Sequence, residues 1–419
     1  MVYLLMRQQV TWHPPKVAAK LSVFARMQRV MYLYSMAYLK FQGEGLFNGR
    51  EILPANQVLI TNEKGIVEDI IADSEAGADV QHVNGILSPG FVNTHCHLEL
   101  SHMKALLPEK TGLVAFVTGV MQHRNFSQET ILEAIAAGEQ EMWDNGIVAV
   151  GDICNTTHTV AQKSLHRLHY HNFIETSGFI PASANTRFEQ AVQTYKAFPA
   201  VHSSITPHAP YSVSPALFEL INEHSAGKVI SVHNQETPDE DALFLDGISS
   251  FRQLYSMLGA DISFYQPPGC TSIQCWLPKT DKPNQVLLVH NTCTTETDIR
   301  FAQQLAAGRQ QTLYWTLCPN ANLYIENRLP HVDLLVKHQC AITVGTDSLA
   351  SNWQLSILAE LQTLRTHFTE IPLEQLLQWA TLNGAQALQL AHTLGSFEKG
   401  KQPGVLLLDK RLESVKRLL

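Results

Sequence analysis

In the middle of the chain, the pattern of apolar and polar positions alternates eight times between a short β-branched run and a longer segment of helical periodicity. The predicted strands are residues 90–95, 146–152, 171–176, 203–207, 229–233, 286–290, 312–317 and 341–347. Each is followed by a segment that can hold a helix, which is the pattern of a parallel sheet with crossover helices. We therefore predict an α/β fold built on a (β/α)₈ TIM-like barrel.

The two ends of the chain have a different pattern. Short β-like runs at 31–39, 57–61 and 66–71 are separated by Gly, Asn and Asp, which predicts an antiparallel sheet. Strand character returns at 405–409, after the last helical segment. We predict that both ends of the chain pair into one small β-sandwich domain.

These patterns give the expected domain division. The small β-sandwich domain comprises residues 28–88 and 393–419, and the catalytic barrel comprises residues 89–392. Residues 1–27 lack the pattern of a signal peptide and are expected to be an N-terminal extension, whose place in the natural protein the sequence leaves open.

Two helices and one loop are predicted with particular clarity. Helical periodicity is strongest at 128–145, where Ser127 can cap the first turn, and at 373–390. Residues 264–283, which are rich in Pro, Cys, Thr and Lys, are expected to form a long loop.

The composition, 45% hydrophobic and 16% charged, is that of a folded globular protein. The net charge of −8, with no basic run, gives no support to nucleic-acid binding, so a small molecule is the expected ligand. The longest apolar stretch near the start, residues 30–39, is too short to span a membrane. Seven scattered cysteines predict reduced thiols without disulfides and a cytoplasmic location. The oligomeric state is left open, with a homodimer as one alternative.

The first candidate functional residues are His95 and His97, at the end of the first predicted barrel strand. Side chains two apart on a strand lie on the same side, so both imidazoles can face one point while Cys96 faces away. Neutral imidazoles bind borderline metals such as zinc. The pair alone fits equally well two polar residues where a strand leaves the core.

Other predicted barrel strands also end in residues that bind metals. The fifth ends at His233, the sixth at His290 and the eighth at Asp347, and His208 follows the fourth. The functional residues of such barrels lie at the carboxyl ends of the strands, where these side chains would meet. Burying imidazoles and a carboxylate together is costly unless they bind a cation or each other, so the sequence predicts a metal site.

The segment PGFVNTHCH at residues 89–97, with the His-x-x-Glu motif of His233 and Glu236, resembles the amidohydrolase superfamily. The resemblance covers about residues 57–409 and is to the metal-dependent hydrolases and deaminases, which include cytosine, guanine and S-adenosylhomocysteine deaminases and triazine hydrolases. The metal ligands that it implies are His95, His97, His233 and Asp347. The catalytic residues that it implies are Glu236, His290 and Asp347.

Elementary chemistry agrees with these implied roles. Three neutral histidines leave a divalent ion with most of its charge, which lowers the pKa of a bound water and makes a hydroxide available for attack. Asp347 can accept the proton of that water, and Glu236 can protonate a ring nitrogen and then the leaving ammonia. His290 can polarise the water or stabilise the tetrahedral intermediate.

The sequence predicts a single metal ion. Relatives with two metals bridge them by a carboxylated lysine at the end of the fourth strand, and residues 203–207 contain no lysine. Zinc is expected first, and iron(II) and manganese are alternatives that suit the same ligands.

The HCHLELS and TPHAPYSVS segments resemble members that act on adenosine-like compounds. The expected reaction is therefore deamination of an adenine-type nucleoside or derivative, with aminodeoxyfutalosine as one candidate. The alternatives are hydrolysis of another C–N bond, or of a C–Cl bond in a triazine-type ring, and a non-catalytic scaffold.

The candidate substrate-binding residues are His208, Glu99, Asn322, Ser348 and Trp353. For three of these a structural role is the alternative. His208 would brace Glu236 or a loop, Glu99 would begin a solvated loop, and Trp353 would pack beneath a loop. Arg124 and Arg187 are candidates for a substrate carboxylate, but no pattern places them.

Overall fold

A computed structural model describes residues 38–419. The predicted extension at 1–27 and most of the predicted strand at 31–39 lie outside these residues. The strands are β1 Tyr38–Gln42, β2 Gly45–Phe47, β3 Ile52–Leu53, β4 Gln57–Asn62, β5 Val67–Ala72, β6 Val80–His82, β7 Ile86–Ser88, β8 Phe91–Cys96, β9 Ile147–Cys154, β10 His169–Thr176, β11 Ser203–Pro207, β12 Val229–Asn234, β13 Gln285–His290, β14 Thr312–Leu317, β15 Ile342–Val344, β16 Leu406–Leu408 and β17 Val415–Arg417.

Helices connect most of these strands. The α-helices are Asp73–Ala76, Leu113–His123, Gln128–Asp144, Val160–Lys163, Ala184–Tyr195, Pro215–His224, Pro238–Leu245, Phe251–Met257, Ser272–Trp276, Glu296–Arg309, Pro319–Glu326, Val332–Lys337, Ile357–His367, Leu373–Gln378 and Gly384–Ala387. The 3₁₀-helices are Leu98–Met103, Pro181–Ser183, Ala200–His202, Pro210–Ser212 and Leu277–Lys279, and a π-helix spans Trp379–Asn383.

The eight predicted barrel strands all occur, as β8 to β15, in two four-stranded sheets. One sheet has the order β11-β10-β9-β8 and the other β12-β13-β14-β15, and every neighbouring pair is parallel. Strands such as β13 are buried along almost their whole length, as expected when helices cover a parallel sheet. The predicted α/β class with parallel sheets is confirmed.

The edge strands of the two sheets lie beside one another at both seams. At the seam of β8 and β15, the amides of Thr346 and Asp347 both donate to the carbonyl of His95, at 3.0 Å. At the seam of β11 and β12, the amide of Ser231 donates to Oγ1 of Thr206 at 2.9 Å. The carboxyl ends of all eight strands therefore point towards the same region.

The chain ends contribute two further sheets, with the orders β5-β4-β1-β6 and β17-β16-β7-β2-β3. The C-terminal strand β16 pairs antiparallel with β7, and β7 pairs parallel with β2. Phe41 and Leu59 of the first sheet pack in one apolar cluster with Leu46, Leu87 and Val405 from the side of the second. Apolar burial thus holds the two sheets, and both chain ends, against each other.

Of the two helices predicted most clearly, one forms as predicted and the other is interrupted. The helix Gln128–Asp144 begins at Ser127, whose Oγ accepts a hydrogen bond from the amide of Thr130 at 3.2 Å, as predicted. The predicted helix at 373–390 is instead divided, because the π-helix Trp379–Asn383 interrupts it. No helix within residues 38–419 is long and apolar enough to cross a membrane.

In residues 264–283 the structure differs from two predictions, that of a long loop and that of reduced thiols without disulfides. It contains the helix Ser272–Trp276, whose Trp276 side chain is fully buried and donates to Oδ1 of Asn234 at 2.9 Å. It also contains a disulfide between Cys270 and Cys275, so the prediction that all thiols are reduced is wrong for this pair. Composition alone could not reveal either feature, because the helix depends on burying its tryptophan and the bond depends on the turn.

A glycine contact at the seam of β8 and β15 yields a stability prediction. A Cβ at Gly345 would lie 2.8 Å from Cβ of His95 and 2.9 Å from its backbone oxygen. We expect Gly345→Ala to lower the free energy of unfolding by about 1–3 kcal/mol, because the packed seam cannot take up the extra volume.

The matched control is Gly308→Ala in the helix Glu296–Arg309, where an added Cβ meets nothing within 4 Å. This change is expected to stabilise the protein by about 0.4–1 kcal/mol, since it reduces the entropy of the unfolded chain. Urea unfolding of both variants measures the difference. Equal stability of the two variants would contradict the close approach at the seam.

Candidate metal centre and active site

Four side chains from three different strand ends converge on one point. The Nε2 atom of His97 lies 3.2 Å from Nε2 of His95 and 3.3 Å from Nε2 of His233. Oδ1 of Asp347 lies 3.3 Å from Nε2 of His97 and 3.4 Å from Nε2 of His95. All four residues are buried.

These distances fit a metal ion. Bonds of about 2.0–2.1 Å in a tetrahedral shell put neighbouring ligand atoms about 3.3–3.4 Å apart, and the observed spacings match. Lone pairs of neutral imidazoles at this spacing repel one another unless a cation lies between them. Imidazole nitrogens and carboxylate oxygens are both ligands that zinc binds in proteins.

The electrostatics of the site favour neutral imidazoles at His97 and His233. Burial, with the help of neighbouring imidazoles, lowers the pKa of His97 well below its usual range and that of His233 to about 4. Burial alone would raise the pKa of Asp347. The hydrogen bond with His95 and the nearby imidazoles outweigh burial and hold that pKa well below its ordinary value. At neutral pH the site therefore offers lone pairs and one negative charge.

Contacts behind the ligands fix their orientation. The Nδ1 of His233 donates to the carbonyl of His208 at 2.9 Å, so its Nε2 carries the lone pair that faces the centre. Ser351 donates to Oδ2 of Asp347 at 2.6 Å, which leaves Oδ1 for the centre. These contacts fix which atom of each ligand faces the centre.

The backbone is strained at several of these positions. Gln235, His290 and Asp347 have φ angles of 46°, 76° and 58°, in the left-handed region that residues other than glycine rarely adopt. Such strain persists only where surrounding contacts impose it, and it concentrates at functional sites. The strand ends are therefore held in shape by the fold.

Glu236 and His290 form a second pair beside the four ligands. Oε1 of Glu236 lies 3.6 Å from Nε2 of His290, and Nδ1 of His290 lies 3.2 Å from Nδ2 of Asn322. Burial, and then the charges of Asp347 and Glu240, raise the pKa of Glu236 well above its ordinary value. Burial lowers the pKa of His290 well below its usual range. Both shifts favour the uncharged forms, a carboxylic acid at Glu236 and a neutral imidazole at His290.

A cavity of about 570 Å³ opens above the four ligands. Its inner end is polar and includes His97, His233, Glu236 and Asp347. Apolar residues form much of the remaining lining and include Leu113, Phe116, Val117, Phe179, Leu254 and Leu258. Such a division suits a ligand with a polar reacting ring and an apolar substituent.

Three of the predicted substrate-binding residues line this cavity, namely His208, Glu99 and Ser348. The carboxylate of Glu99 also accepts from the amides of Asn155 and Thr156, at 3.2 and 3.0 Å, and from the Thr156 hydroxyl at 2.7 Å. Glu99 is therefore buried and already well supplied with donors, instead of beginning a solvated loop.

The other two predicted residues are placed elsewhere. Asn322 lies behind His290 and does not line the cavity among the described residues. Trp353 is 45% exposed, donates to Oε1 of Glu109 at 2.8 Å and packs against the ring of Tyr324. Their contacts in the structure are to protein groups, and a role in substrate binding stays a prediction for both.

The cavity also contains residues that the sequence analysis missed or left unplaced. Glu175 ends β10 and faces His233, and the rule that functional residues end barrel strands could have identified it. Arg124 and Arg187 both line the cavity. The apolar wall comes from helices and loops distant in sequence, so no local pattern could show it.

Comparison with known proteins agrees with this site. The family model described as the amidohydrolase family matches residues 86–417. A 5-methylthioadenosine/S-adenosylhomocysteine deaminase of Teredinibacter turnerae is 24% identical over 354 residues, which are 77% of this chain and 72% of the relative. A 5′-deoxyadenosine deaminase of Methanobrevibacter smithii is 24% identical over 381 residues, which are 84% of this chain and 79% of the relative.

Solved structures share the fold. The aminofutalosine deaminase of Helicobacter pylori, in complex with methylthio-coformycin, superposes with a TM-score of 0.74 at 19% identity, covering 90% of this chain and 97% of the other. An adenosine deaminase from Xanthomonas campestris with bound zinc gives a TM-score of 0.68 at 19% identity, covering 88% of this chain and 84% of the other.

The lowered pKa of His233 gives a prediction for metal retention. Protein loaded with zinc is expected to keep its ion from pH 7 down to about 5 and to release it as the pH falls through about 4, where His233 takes up a proton. Metal content after dialysis at a series of pH values measures this. His233→Ala is the control and should fail to retain the ion at any pH. Release near pH 6.5, the ordinary pKa of histidine, would contradict the prediction.

Proposed function

This chain belongs to the amidohydrolase family, and we propose that it deaminates an adenine-type nucleoside or a derivative of one, with the help of a single divalent metal ion. The resemblance predicted from the sequence is confirmed by the family model, which covers most of the chain. The curated relatives are named as deaminases of 5-methylthioadenosine, S-adenosylhomocysteine and 5′-deoxyadenosine. These names support an adenine nucleoside with a modified 5′ position as the substrate class.

One observation carries the proposal: three imidazoles, a carboxylate and a further buried carboxyl group with a raised pKa meet at the inner end of one cavity. The first four come from His95, His97, His233 and Asp347, and the carboxyl group from Glu236. Hydrolysis at a ring carbon needs a water that can lose a proton and an acid that can supply one. The site holds a group for each task within a few ångströms.

We propose that His95, His97, His233 and Asp347 hold the ion. A divalent cation held there would supply Lewis acidity, which brings the pKa of water in the site towards neutrality. Zinc suits this ligand set, and iron(II) or manganese would also fit. Among the described residues no lysine lines the cavity, which supports one ion instead of two.

The residues of this chain divide the proton transfers between them. The overall reaction converts a ring C–NH₂ and water into a ring C=O and ammonia. Asp347, ionised because its pKa is held low, accepts a proton from the attacking water. Glu236, protonated because its pKa is raised, gives its proton to the ring nitrogen next to the reacting carbon. Glu236, now ionised, takes the proton of the new C–OH group and passes it to the amino group, which leaves as ammonia as the C=O bond forms. The proton held by Asp347 then returns to Glu236 and restores both groups.

His290 orients the attacking water in this proposal. Its Nδ1 contacts Asn322 and its Nε2 faces Glu236, so its ring is held from both sides. A neutral imidazole can form a hydrogen bond with the water and does not compete for the proton that Asp347 receives. The lowered pKa of His290 supports this neutral state.

The outer cavity accounts for the 5′ substituent. Phe116, Val117 and Phe179 give it an apolar wall, and the volume of about 570 Å³ lies within the usual range for small-molecule sites. Aminodeoxyfutalosine, a nucleoside with a bulky 5′ arm, therefore stays a candidate beside the smaller 5′-modified adenosines.

Two alternatives are weaker on the same evidence. Displacement of chloride from a triazine-type ring would use the same water, metal ligands and ring-nitrogen acid, but the curated relatives are named as deaminases of adenine nucleosides. A non-catalytic scaffold has no use for a strained, buried cluster of four ligands.

The proposal extends to the domain architecture, the cellular location and the oligomeric state. We propose that β8 to β15 close into one (β/α)₈ barrel within residues 89–392, and that residues 28–88 and 393–419 form a β-sandwich domain. The contacts at both seams and the shared apolar cluster support these divisions. A cytoplasmic location now rests on the five free cysteines alone, and a homodimer likewise stays a prediction.

The proposal is tested by ammonia release from zinc-loaded protein. We expect release from 5′-methylthioadenosine, 5′-deoxyadenosine or aminodeoxyfutalosine, and a fall in kcat of about 10²–10⁴-fold in Glu236→Gln, which cannot donate the proton. Glu129→Gln, the same change at an exposed helix position, is the matched control and should match the unaltered protein. The proposal would be overturned if no purine nucleoside released ammonia and a chlorotriazine released chloride.

A pH profile tests the state of Glu236 separately. The acid must be protonated, and its raised pKa keeps it so above the ordinary range of a carboxyl group. The value of kcat/KM is therefore expected to hold through weakly acidic pH and to fall as the pH rises through that raised pKa. A profile that already falls as the pH rises through about 4.3, the pKa of an unperturbed Glu, would show that the pKa of Glu236 is not raised, and a profile that rises with pH there would show that Glu236 acts in its ionised form.

A further inference from the structure

Glu175 is a buried carboxylate at the inner end of the cavity that none of the roles above uses. It ends β10, its side chain is 6% exposed, and it lines the cavity. Its Oε2 accepts from Nδ2 of Asn155 at 3.2 Å. Its Oε1 is buried and has no hydrogen-bond partner among the described residues.

The nearest donor to this oxygen is already engaged. Nδ1 of His233 lies 3.5 Å from Oε1 of Glu175, but it donates to the carbonyl of His208 at 2.9 Å. His233 is therefore oriented without Glu175. A buried acceptor that lacks a donor costs free energy, and native proteins rarely keep one without a reason. The missing donor is therefore expected to arrive with the ligand.

His208 adds a second acceptor next to Glu175. The ligand atoms of Glu175, His208 and His233 lie within 4.8 Å of one another. Oγ of Ser212 donates to the carbonyl of Ala209 at 3.0 Å, so Nδ1 of His208 must donate to Oγ of Ser212 at 2.7 Å. With Nδ1 as the donor, the other ring nitrogen, Nε2, carries a lone pair in the tautomer that these contacts fix. This side of the cavity thus offers acceptors at Oε1 of Glu175 and Nε2 of His208.

The substrate of the proposed reaction brings a matching group to this place. Its exocyclic amino group has two N–H donors and is attached to the carbon that is attacked, next to the ring nitrogen that Glu236 serves. The product carries an oxo group there, which has lone pairs and no proton. Two acceptors facing an amino group attract it, and the same two facing an oxo group repel it.

We propose that Glu175 recognises the amino group that the reaction removes, by accepting a hydrogen bond from it at Oε1, and that it weakens the binding of the oxo product. The inference rests on the proposed deamination and adds a residue that sets specificity. Glu175 moves no proton in this account. It distinguishes substrate from product by the direction of one hydrogen bond.

The test compares two leaving groups at one ring position. The probes are 5′-methylthioadenosine and the 6-chloropurine nucleoside with the same 5′ group, which has no N–H to donate. In Glu175→Gln the amide oxygen stays towards Asn155, which needs an acceptor, so the amide N–H faces the cavity. The kcat/KM for the amino substrate, divided by that for the chloro substrate, is expected to fall about ten- to a hundredfold, as for a lost hydrogen bond to a charged group.

Product inhibition provides a second readout. Because the Gln variant offers a donor where the unaltered protein offers an acceptor, 5′-methylthioinosine is expected to inhibit it about tenfold more tightly. Glu175→Ala should lower the same kcat/KM ratio without this tighter inhibition, since it removes the acceptor and supplies no donor. Glu189→Gln, an exposed carboxyl on the helix Ala184–Tyr195, is the matched control and should change neither quantity.

Three outcomes would overturn the inference. Equal losses on both substrates, with loss of bound zinc by atomic absorption, would make Glu175 a positioning residue for His233. An unchanged ratio with an altered response to 2′- or 3′-deoxy analogues would assign it to the sugar. If unaltered zinc-loaded protein neither turns over nor binds either nucleoside, the proposed function fails and the inference with it. If the unaltered protein turns over the nucleosides and Glu175→Gln leaves the kcat/KM ratio unchanged, the inference fails while the proposed function stands.

Thermal melting of each variant shows that it is folded.

Discussion

The burial of four polar groups around one point is the constraint on which the rest of the structure depends. Nitrogen and oxygen atoms of His95, His97, His233 and Asp347 lie 3.2–3.4 Å apart where solvent is largely excluded. Without a cation between them, their lone pairs would repel one another and remain without partners. The fold therefore has to hold these groups together against their own electrostatics, and the strained backbone at Asp347 and His290 shows where it does so.

Parallel strands are suited to this task because their ends are fixed by hydrogen bonds on both sides. The carbonyl of His95 receives amides from Thr346 and Asp347, which ties the first pair of ligands to the fourth. The close contact of Gly345 with His95 belongs to the same seam, since any side chain at Gly345 would push the two strands apart. The geometry of the ligands is thus set by the strand ladder.

The cavity above the ligands combines a polar and an apolar lining. The polar lining includes Glu236, whose pKa is raised by burial, together with Glu175 and His208, and apolar residues such as Phe116 and Phe179 form much of the rest. Burial alone shifts these groups in opposite directions, raising the pKa of carboxyl groups and lowering that of imidazoles. One dry environment therefore produces both an acid and neutral bases at the same pH, and charged neighbours such as Asp347 set the differences between them.

The sequence by itself determined the eight parallel strands and the residues at their ends, because strand periodicity and the rule that functional groups follow barrel strands are local properties. His95, His97, His233 and Asp347 could be assembled on that basis. Only the tertiary structure decided what each group faces. It placed Asn322 behind His290 and Trp353 outside the cavity, and it left one oxygen of Glu175 unpaired inside it. It also formed a helix and a disulfide where composition predicted a loop. These features depend on contacts between segments far apart in the chain, and a local pattern carries no information about them.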